Sequence, residues 1–458
     1  MALTSMENVL LSREIRWDRQ LALLQEYNLP LLSFTLNIAG PVKLSGLIYR
    51  TFCEGKALIL KICSDQDWDI LYQEEKCLDT GPEALFAVNA DAKSLKVSML
   101  KLESESSLGR LFDLDVLDIG GKKLSRSDFG YSLRRCLLCD RPAAACGRTR
   151  AHGLEALIFE QTRIQREYFE HKNQKIIARL AEAALIQEAY TTPKPGLVDL
   201  RNNGAHTDMT MDLMVKSAKT LAPWFGRFYL LGIRQCAAEY TDIMQALRAE
   251  GILAEKEMLC ATDGVNTHKG AVFSMGLLCC AAGILYGRGL AFSMEYLQNI
   301  CRELAADLLH EFDAITVKNA RTHGEVLYAQ FGLTGIRGEA AAGFPSAFQI
   351  GLPRLRQLLS KGLDYDKAGA LTLLSILSNF CDTNVVYRSG PGRLYELQRE
   401  IRVMLTASPP LEDTDYFPIL IRLDERMIAE NISPGGSADM LALVYFLHNA
   451  EDVFSGQL

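Results

Sequence analysis

The sequence predicts a multi-domain protein in which an N-terminal α+β domain precedes a C-terminal all-α domain. Two observations carry this. Up to about Gly121, helical patterns alternate with short β-branched or alternating stretches bounded by Gly, Pro and Asp, the punctuation of strands. From about Gly153 onward the apolar period is helical almost everywhere, with Ala, Leu and Met dominant. The length of 458 residues allows two or three domains, each with its own core. Apolar residues at 48% and charged residues at 23% are the composition of an ordered globular chain.

In chain order, Glu14 to Tyr27 keeps a helical pattern, and Leu31–Ile38, Ala57–Cys63, Leu95–Leu102 and Leu111–Ile119 are expected strands. The charged stretch from Gly153 to Asn173 has no internal Pro or Gly and predicts a helical connector, so the domains are expected at residues 1–165 and 172–458. Ile176, Ile177, Leu180, Ala183 and Ala184 continue a helix until Pro193, Pro195 and Gly196 stop it. The net charge of −7 argues against a general nucleic-acid binder. Met1 to Leu11 has neither a basic start nor a long apolar stretch, and the longest apolar run, Ala271 to Tyr286, is too short for a membrane span. A reduced, cytoplasmic protein with no membrane partner is expected, and the adjacent Cys279 and Cys280 read as small core residues.

Gly109-Arg110-Leu111-Phe112-Asp113-Leu114-Asp115-Val116 is the sharpest motif of the first half. In a strand, residues i and i+2 point the same way, so Asp113 and Asp115 share a face while Leu114 and Val116 enter the core. Paired carboxylates want a divalent cation, and Mg²⁺ (or Mn²⁺) takes one or two of them plus phosphate oxygens. The chemistry implied is displacement at phosphorus, with Arg110 able to neutralise a phosphate. An edge strand with acidic outward residues fits the same pattern. Next come Cys136, Cys139, Cys146 and His152, ligand types for a structural Zn²⁺, although classical spacings separate the two pairs further and a set of reduced thiols is the alternative.

In the second half, polar Gly-bearing segments open repeatedly onto apolar helices. Lys194, Asp199, His206, Asp208 and Asp212 crowd one segment; Asp199, Asp208 and Asp212 are the Mg²⁺ candidates, and Asp208 and Asp212, four apart, are expected to share a helix face. Asp263 to Gly270 offers Asn266, His268, Lys269 and Gly270; Ser433 to Asp439 offers Gly435, Gly436 and Ser437. Free N–H groups at a helix start attract phosphate, and Lys269 adds a full charge. Thr322-His323-Gly324-Glu325, Arg337-Gly338-Glu339 and Asp382-Thr383-Asn384 with Arg388 add charged groups beside glycines. Each loop alone reads equally as a helix cap, with Ser437 or Thr267 as N-cap. Together, acids for metal and cations for phosphate point to a polyphosphate nucleotide with Mg²⁺. The loops can meet only if they come from alternate helices or from helices broken midway.

The segments TPKPGLVDLRNNGAHTDM, GVNTHKGAVFSMG, THGE, RGEAAAGFP, DTNVVYR and NISPGGSADMLA resemble the triphosphoribosyl-dephospho-CoA synthase family, from about Lys175 to the C-terminus. LSFTLNIAGPVK, LGRLFDLDV and RRCLLCDRPAAACGRTRAH resemble holo-citrate-lyase synthase, the phosphoribosyl-dephospho-CoA transferase, over about the first 165 residues. Phe112 stands where that family's motif has Trp, which keeps an aromatic beside both aspartates. The resemblance implies a bifunctional transferase with a nucleotidyltransferase-like first domain. Its synthase domain would join ATP to 3′-dephospho-CoA, the ribose 2′-hydroxyl attacking C1 of the ATP ribose as adenine leaves. Its transferase domain would pass the product to a serine of the acyl carrier (γ) subunit of citrate lyase and release pyrophosphate. The glycosyl transfer wants a base and an acid, for which His206, Asp208 and Glu339 are the candidates. Service to malonate decarboxylase, an N-terminal half that only docks the carrier, and an adenine-nucleotide hydrolase using water are the rival readings.

Overall fold

The computed structural model describes residues 4–454, and the chain divides into two compact units between Lys172 and Asn173. The first unit opens with α1 (Met6–Tyr27), whose N-cap Ser5 accepts from the Asn8 N–H. Then come β1 (Leu31–Leu36), α2 (Gly46–Asp65), β2 (Asp69–Leu78), β3 (Gly81–Asn89), α3 (Ala92–Glu105), β4 (Phe112–Leu117) and α4 (Ala143–Thr149). The four strands form one antiparallel sheet in the order β2-β3-β1-β4.

Alternation along each strand sorts the residues between two faces. Phe34 stacks on Phe52 of α2 at 4.9 Å and meets Phe112 edge-on at 5.4 Å, which places α2 against one face. On the other, Leu31, Leu85, Ala87 and Leu117 pack with Leu23 and Leu24 of α1. Ser33 pairs with Asp115 and Thr35 with Asp113, so both acids lie on the α1 side, beyond the apolar patch.

Two of the four expected strands are helices. Ala57–Cys63 belongs to α2, capped by Ser45, with Ile48, Phe52, Gly55, Ile59 and Cys63 buried at helical spacing. Leu95–Leu102 belongs to α3, capped by Asp91, with Leu95, Met99 and Leu102 buried along it. Both apolar runs are too short to show their period; the start signals upstream decide it. The strands left unassigned are β2, whose GlnGluGluLys stretch forms surface ion pairs on a sheet edge, and the buried β3.

α5 (Leu154–Tyr190) is one continuous helix, and the division between units falls inside it. The second unit is built only of helices among the described residues: α6 (Met211–Arg234), α7 (Tyr240–Ala261), α8 (Lys269–Gly287), α9 (Met294–Ala305), α10 (His323–Phe331), α11 (Gly335–Ala341), α12 (Leu352–Ser360), α13 (Tyr365–Leu377), α14 (Thr383–Ser389), α15 (Pro391–Leu405), α16 (Phe417–Ala429) and α17 (Gly435–Phe454). α8 is the central post, packed by α6, α7, α9 and α17. Contrary to expectation, its 19 residues are long and apolar enough for a membrane span, but 78% of that apolar stretch is buried inside the unit, as in a core helix. Asp208 and Asp212 do not share a helix face: Thr210 is the N-cap of α6, so the helix begins after Asp208.

Candidate active sites

In the first unit, Asp113 is exposed and Asp115 half-buried on β4. Asp113 is 3.5 Å from the Thr35 hydroxyl, and Lys123 pairs with Asp115 at 2.5 Å. They line a cleft of about 160 Å³ with Ser33, Thr35 and, from α1, Arg13, Arg16 and Trp17. Arg110 turns elsewhere, donating to the Cys136 carbonyl at 2.7 Å. The cations lining the cleft are Arg13, Arg16 and Lys123; sequence reasoning missed all three, the two arginines because α1 is distant in the chain. A larger cavity of about 480 Å³, lined by Lys61, Ser98, Lys101 and Tyr168 among others, holds none of the expected residues. The ligand atoms of Cys136, Cys139, Cys146 and His152 lie within 4.8 Å of one another.

In the second unit, the loop between α5 and α6 is fastened by two buried carboxylates. Asp199 accepts the Lys194 N–H at 3.0 Å through one oxygen and those of Arg201 and Asn202 at 2.7 and 3.1 Å through the other. That makes Asp199 a clamp on the loop, with both oxygens engaged by backbone donors. Asp424 of α16 takes the Gly196 N–H at 2.9 Å, the Asn202 amide at 2.9 Å and Arg201 at 3.2 Å. Gly196 has φ +75 and lies so close to the Ile432 carbonyl that a Cβ there would stand 2.3 Å from its oxygen.

This fastening brings distant blocks together. His206 Nε2 is 2.7 Å from the Ser433 hydroxyl, and Arg388 donates to the Ala205 carbonyl and to Asn431, both at 3.0 Å. Burial lowers the His206 pKa below its ordinary value. Ser437 donates its N–H and hydroxyl to Asp382 at 2.7 and 2.8 Å, and Gly436 packs beside the same carboxylate. Ser437 is therefore no N-cap: α17 already begins at Gly435. The His323 ring stacks on Tyr387 of α14 at 3.7 Å, and Gly335 abuts Thr383.

At the centre, two acids that the sequence reading had not singled out, Glu188 and Asp439, join residues that it had. Lys194 is 1% exposed and pairs with Glu188, itself 4% exposed. Asp439 carries no hydrogen bond or ion pair to any described residue. Burial, then the charges of Glu188 and Asp382, pushes its carboxyl well above the ordinary range. Gly270, at the start of α8, faces it: a Cβ there would stand 2.0 Å from the Asp439 Oδ2. His268 is buried; its Nδ1 meets the Ser217 hydroxyl at 2.7 Å, and Ser217 also accepts from Thr267 at 2.7 Å. A Ser217 hydroxyl that accepts from Thr267 keeps its own proton for Nδ1, the pairing that suits the neutral ring with its N–H at Nε2. That Nε2 is buried without a partner, and burial followed by nearby Lys194 depresses the ring's pKa to about 3. A charged residue inside an apolar helical stripe was the available signal: Glu188 follows Ala181, Ala184 and Leu185, and Asp424 lies between Leu420, Leu423 and Met427.

Other expected residues stand apart. Lys269 is exposed and pairs with Glu255 at 3.1 Å. Arg337 pairs with Glu311 at 3.3 Å and covers the Phe312 ring. Glu339 accepts the Ser346 N–H at 2.7 Å, and burial raises its pKa, but no hydrogen bond joins it to His206 or Asp439. Asp208 is exposed, 4.0 Å from His206 Nδ1; Asp212 is exposed on the first turn of α6, and Asn266 caps the Lys269 N–H at 3.2 Å.

Residues 174–457 match the CitG family, described as ATP:dephospho-CoA triphosphoribosyl transferase. Residues 4–168 match CitX, described as apo-citrate lyase phosphoribosyl-dephospho-CoA transferase. Protein CitXG of Haemophilus influenzae is 36% identical over 449 residues, 96% of this chain and 95% of its own length. Protein CitXG of Leuconostoc mesenteroides is 32% identical over 456 residues, 96% of each. A probable 2-(5''-triphosphoribosyl)-3'-dephosphocoenzyme-A synthase of Albidiferax ferrireducens is 41% identical over 280 residues, 60% of this chain and 91% of the relative.

Proposed function

Because the chain belongs to the CitXG family and is a bifunctional transferase of citrate lyase prosthetic-group biosynthesis, we propose that its two halves perform successive steps. Residues 172–458 form the synthase domain, which converts ATP and 3′-dephospho-CoA to the triphosphoribosyl adduct and adenine. Residues 1–165 form a nucleotidyltransferase-like domain that passes this group to a serine of the citrate lyase acyl carrier subunit, releasing pyrophosphate. The cytoplasm is the compartment this reading assigns to the chain.

The observation that carries the synthase reading is Asp439, an unpartnered carboxyl with a raised pKa beside Glu188 and the start of α8. Such a group suits the proton traffic of glycosyl transfer. Asp439, holding its proton, gives it to adenine as the C–N bond breaks. The resulting carboxylate takes the proton of the attacking 2′-hydroxyl as the new C–O bond forms, and the neutral carboxyl is restored. Neutral His268 is no proton source at its depressed pKa; its Nε2–H donates a hydrogen bond to the leaving purine. Free N–H groups at the start of α8, with Lys269 alongside, receive the triphosphate. His206, Ser437, Gly435, Gly436 and Arg388 shape the opposite wall.

In the transferase domain, Asp113 and Asp115 fit Mg²⁺ or Mn²⁺, since they share one strand face and Asp115 already attracts the cation of Lys123. Such an ion would neutralise the developing pyrophosphate. The chain itself contributes Arg13, Arg16 and Lys123 to hold phosphate, and a shallow cleft that a carrier protein can approach. The test is mass spectrometry of products from ATP, dephospho-CoA, Mg²⁺ and carrier. Asp439→Asn is expected to stop adenine release, whereas Asp113→Asn releases adenine normally and leaves the carrier unlabelled. A triphosphoribosyl adduct formed by Asp439→Asn at the full rate would overturn the reading.

A further inference from the structure

The segment after β4 is organised around four soft ligands. Arg135 bridges Pro142 in an antiparallel contact, the Cys136 N–H donates to the Arg141 carbonyl at 2.8 Å, and the Ala143 N–H donates to the Arg134 carbonyl at 2.8 Å. These bonds close a tight knuckle that holds Cys136 and Cys139 on one turn. Pro142 then starts α4, which carries Cys146 on its inner side. Arg150, at φ 48, ends α4 and turns the chain back so that His152 returns to the knuckle. Cys136 and Cys146 are each 6% exposed. The Cys139 and Cys146 sulfurs are 3.6 Å apart, and Cys139 is 3.3 Å from His152 Nε2.

We propose that Cys136, Cys139, Cys146 and His152 bind a structural Zn²⁺. Zn–S bonds of about 2.3 Å at tetrahedral angles put sulfurs about 3.8 Å apart, and a Zn–N bond of about 2.0 Å puts nitrogen about 3.5 Å from sulfur. The two closest separations, 3.6 Å between sulfurs and 3.3 Å from sulfur to nitrogen, lie slightly inside those values, and all four ligand atoms fall within 4.8 Å of one another. A disulfide would need the sulfurs at about 2.05 Å. Three thiolates and an imidazole complete the coordination and leave no open position, so the ion is a staple and not a catalyst.

What the staple holds is specific. Arg110, just before β4, donates to the Cys136 carbonyl at 2.7 Å. Arg134, just before the knuckle, donates to the Phe112 carbonyl and pairs with Glu103 at 3.0 Å. The zinc knuckle therefore straps the beginning of the strand that carries Asp113 and Asp115. The metal site stands whether or not the proposed reactions do, because its presence is read by metal content.

The experiment is metal analysis of the full chain purified under reducing conditions, with Co²⁺ exchange as second readout. About one zinc per chain is expected, with the visible absorption of tetrahedral thiolate-bound Co²⁺ after exchange. Cys139→Ser with Cys146→Ser is expected to lose both signals while adenine release from ATP continues at the wild-type rate. Should that variant fail to fold, thiol alkylation of the wild-type chain replaces it: three cysteines are protected with zinc and become reactive on chelation. A chain with no zinc after incubation with ZnCl₂, zinc retained by the double variant, or alkylation indifferent to chelator would overturn the proposal.

Discussion

The two candidate active sites treat their carboxylates in opposite ways. On β4, Asp113 is exposed and Asp115 half-buried, with a lysine 2.5 Å from the latter. In the helical unit, Glu188 and Asp382 are buried, and half-buried Asp439 stands beside them with no hydrogen-bonded partner. A shallow acidic cleft suits a metal–phosphate complex presented to a protein, since the partner must reach the reacting phosphorus. A buried polar centre suits a glycosyl transfer in which water competes with the proper acceptor, because exclusion of water decides between transfer and hydrolysis. Opposite burial thus matches opposite demands on the second substrate.

The contrast can be broken by substitution. The largest effect is expected at Asp439: conversion to Asn removes the proposed proton carrier and should slow adenine release by about 10²–10⁴-fold, without changing the far-ultraviolet circular dichroism. An unchanged rate would put the base elsewhere. Next is Glu188→Gln, which leaves the Lys194 ammonium buried and unpaired and should lower stability by about 3–5 kcal/mol in denaturant titration of the full chain. The third concerns pH. His268 has its pKa depressed from 6.5 to about 3, so the unfolded chain binds a proton there that the folded one refuses. Its contribution to stability is complete above about pH 6.5 and drains away as pH falls toward 3, at about 1.4 kcal/mol per unit. His268→Gln should flatten the unfolding free energy by that one-proton slope between pH 6 and 4, and an unaltered slope would mean the ring already titrates normally. The smallest effect is expected in the open site: Lys123→Ala breaks an exposed pair and should change stability by less than about 1 kcal/mol, though it should weaken carrier labelling at low Mg²⁺.

The two units also differed in how far they could be read. In the helical unit, the blocks around Lys194, His206, His268, Asp382 and Ser437 stood out because Gly, Pro and polar residues interrupt long apolar periods. Glu188 and Asp424 did not, since one acid within a helical stripe resembles a boundary between faces until the burial is known. In the α+β unit, β1 and β4 were legible from alternation, and the shared face of Asp113 and Asp115 followed from it. The runs in α2 and α3 misled because seven or eight apolar-rich residues fit either period, and Ser45 and Asp91, which cap those helices, lie outside the runs. No local signal joins Arg13 and Arg16 to the aspartates, because the sheet and α1 make that meeting.

α5 passes from one unit into the other without a break, and this bears on any attempt to sever the activities. Gln161 binds the Ala39 N–H, Gln165 the Thr51 hydroxyl and Tyr168 the Glu54 carboxylate, so the helix's first half holds the sheet unit. Its last turns carry Glu188, the counterion of Lys194. A cut at residue 172 strands four carbonyl groups at the end of the first fragment and four amide groups at the start of the second. A cut at 153 robs the first fragment of its wall; a cut past 190 robs the second of its buried anion. The gene has no clean seam, and the halves are best silenced one at a time by point substitution.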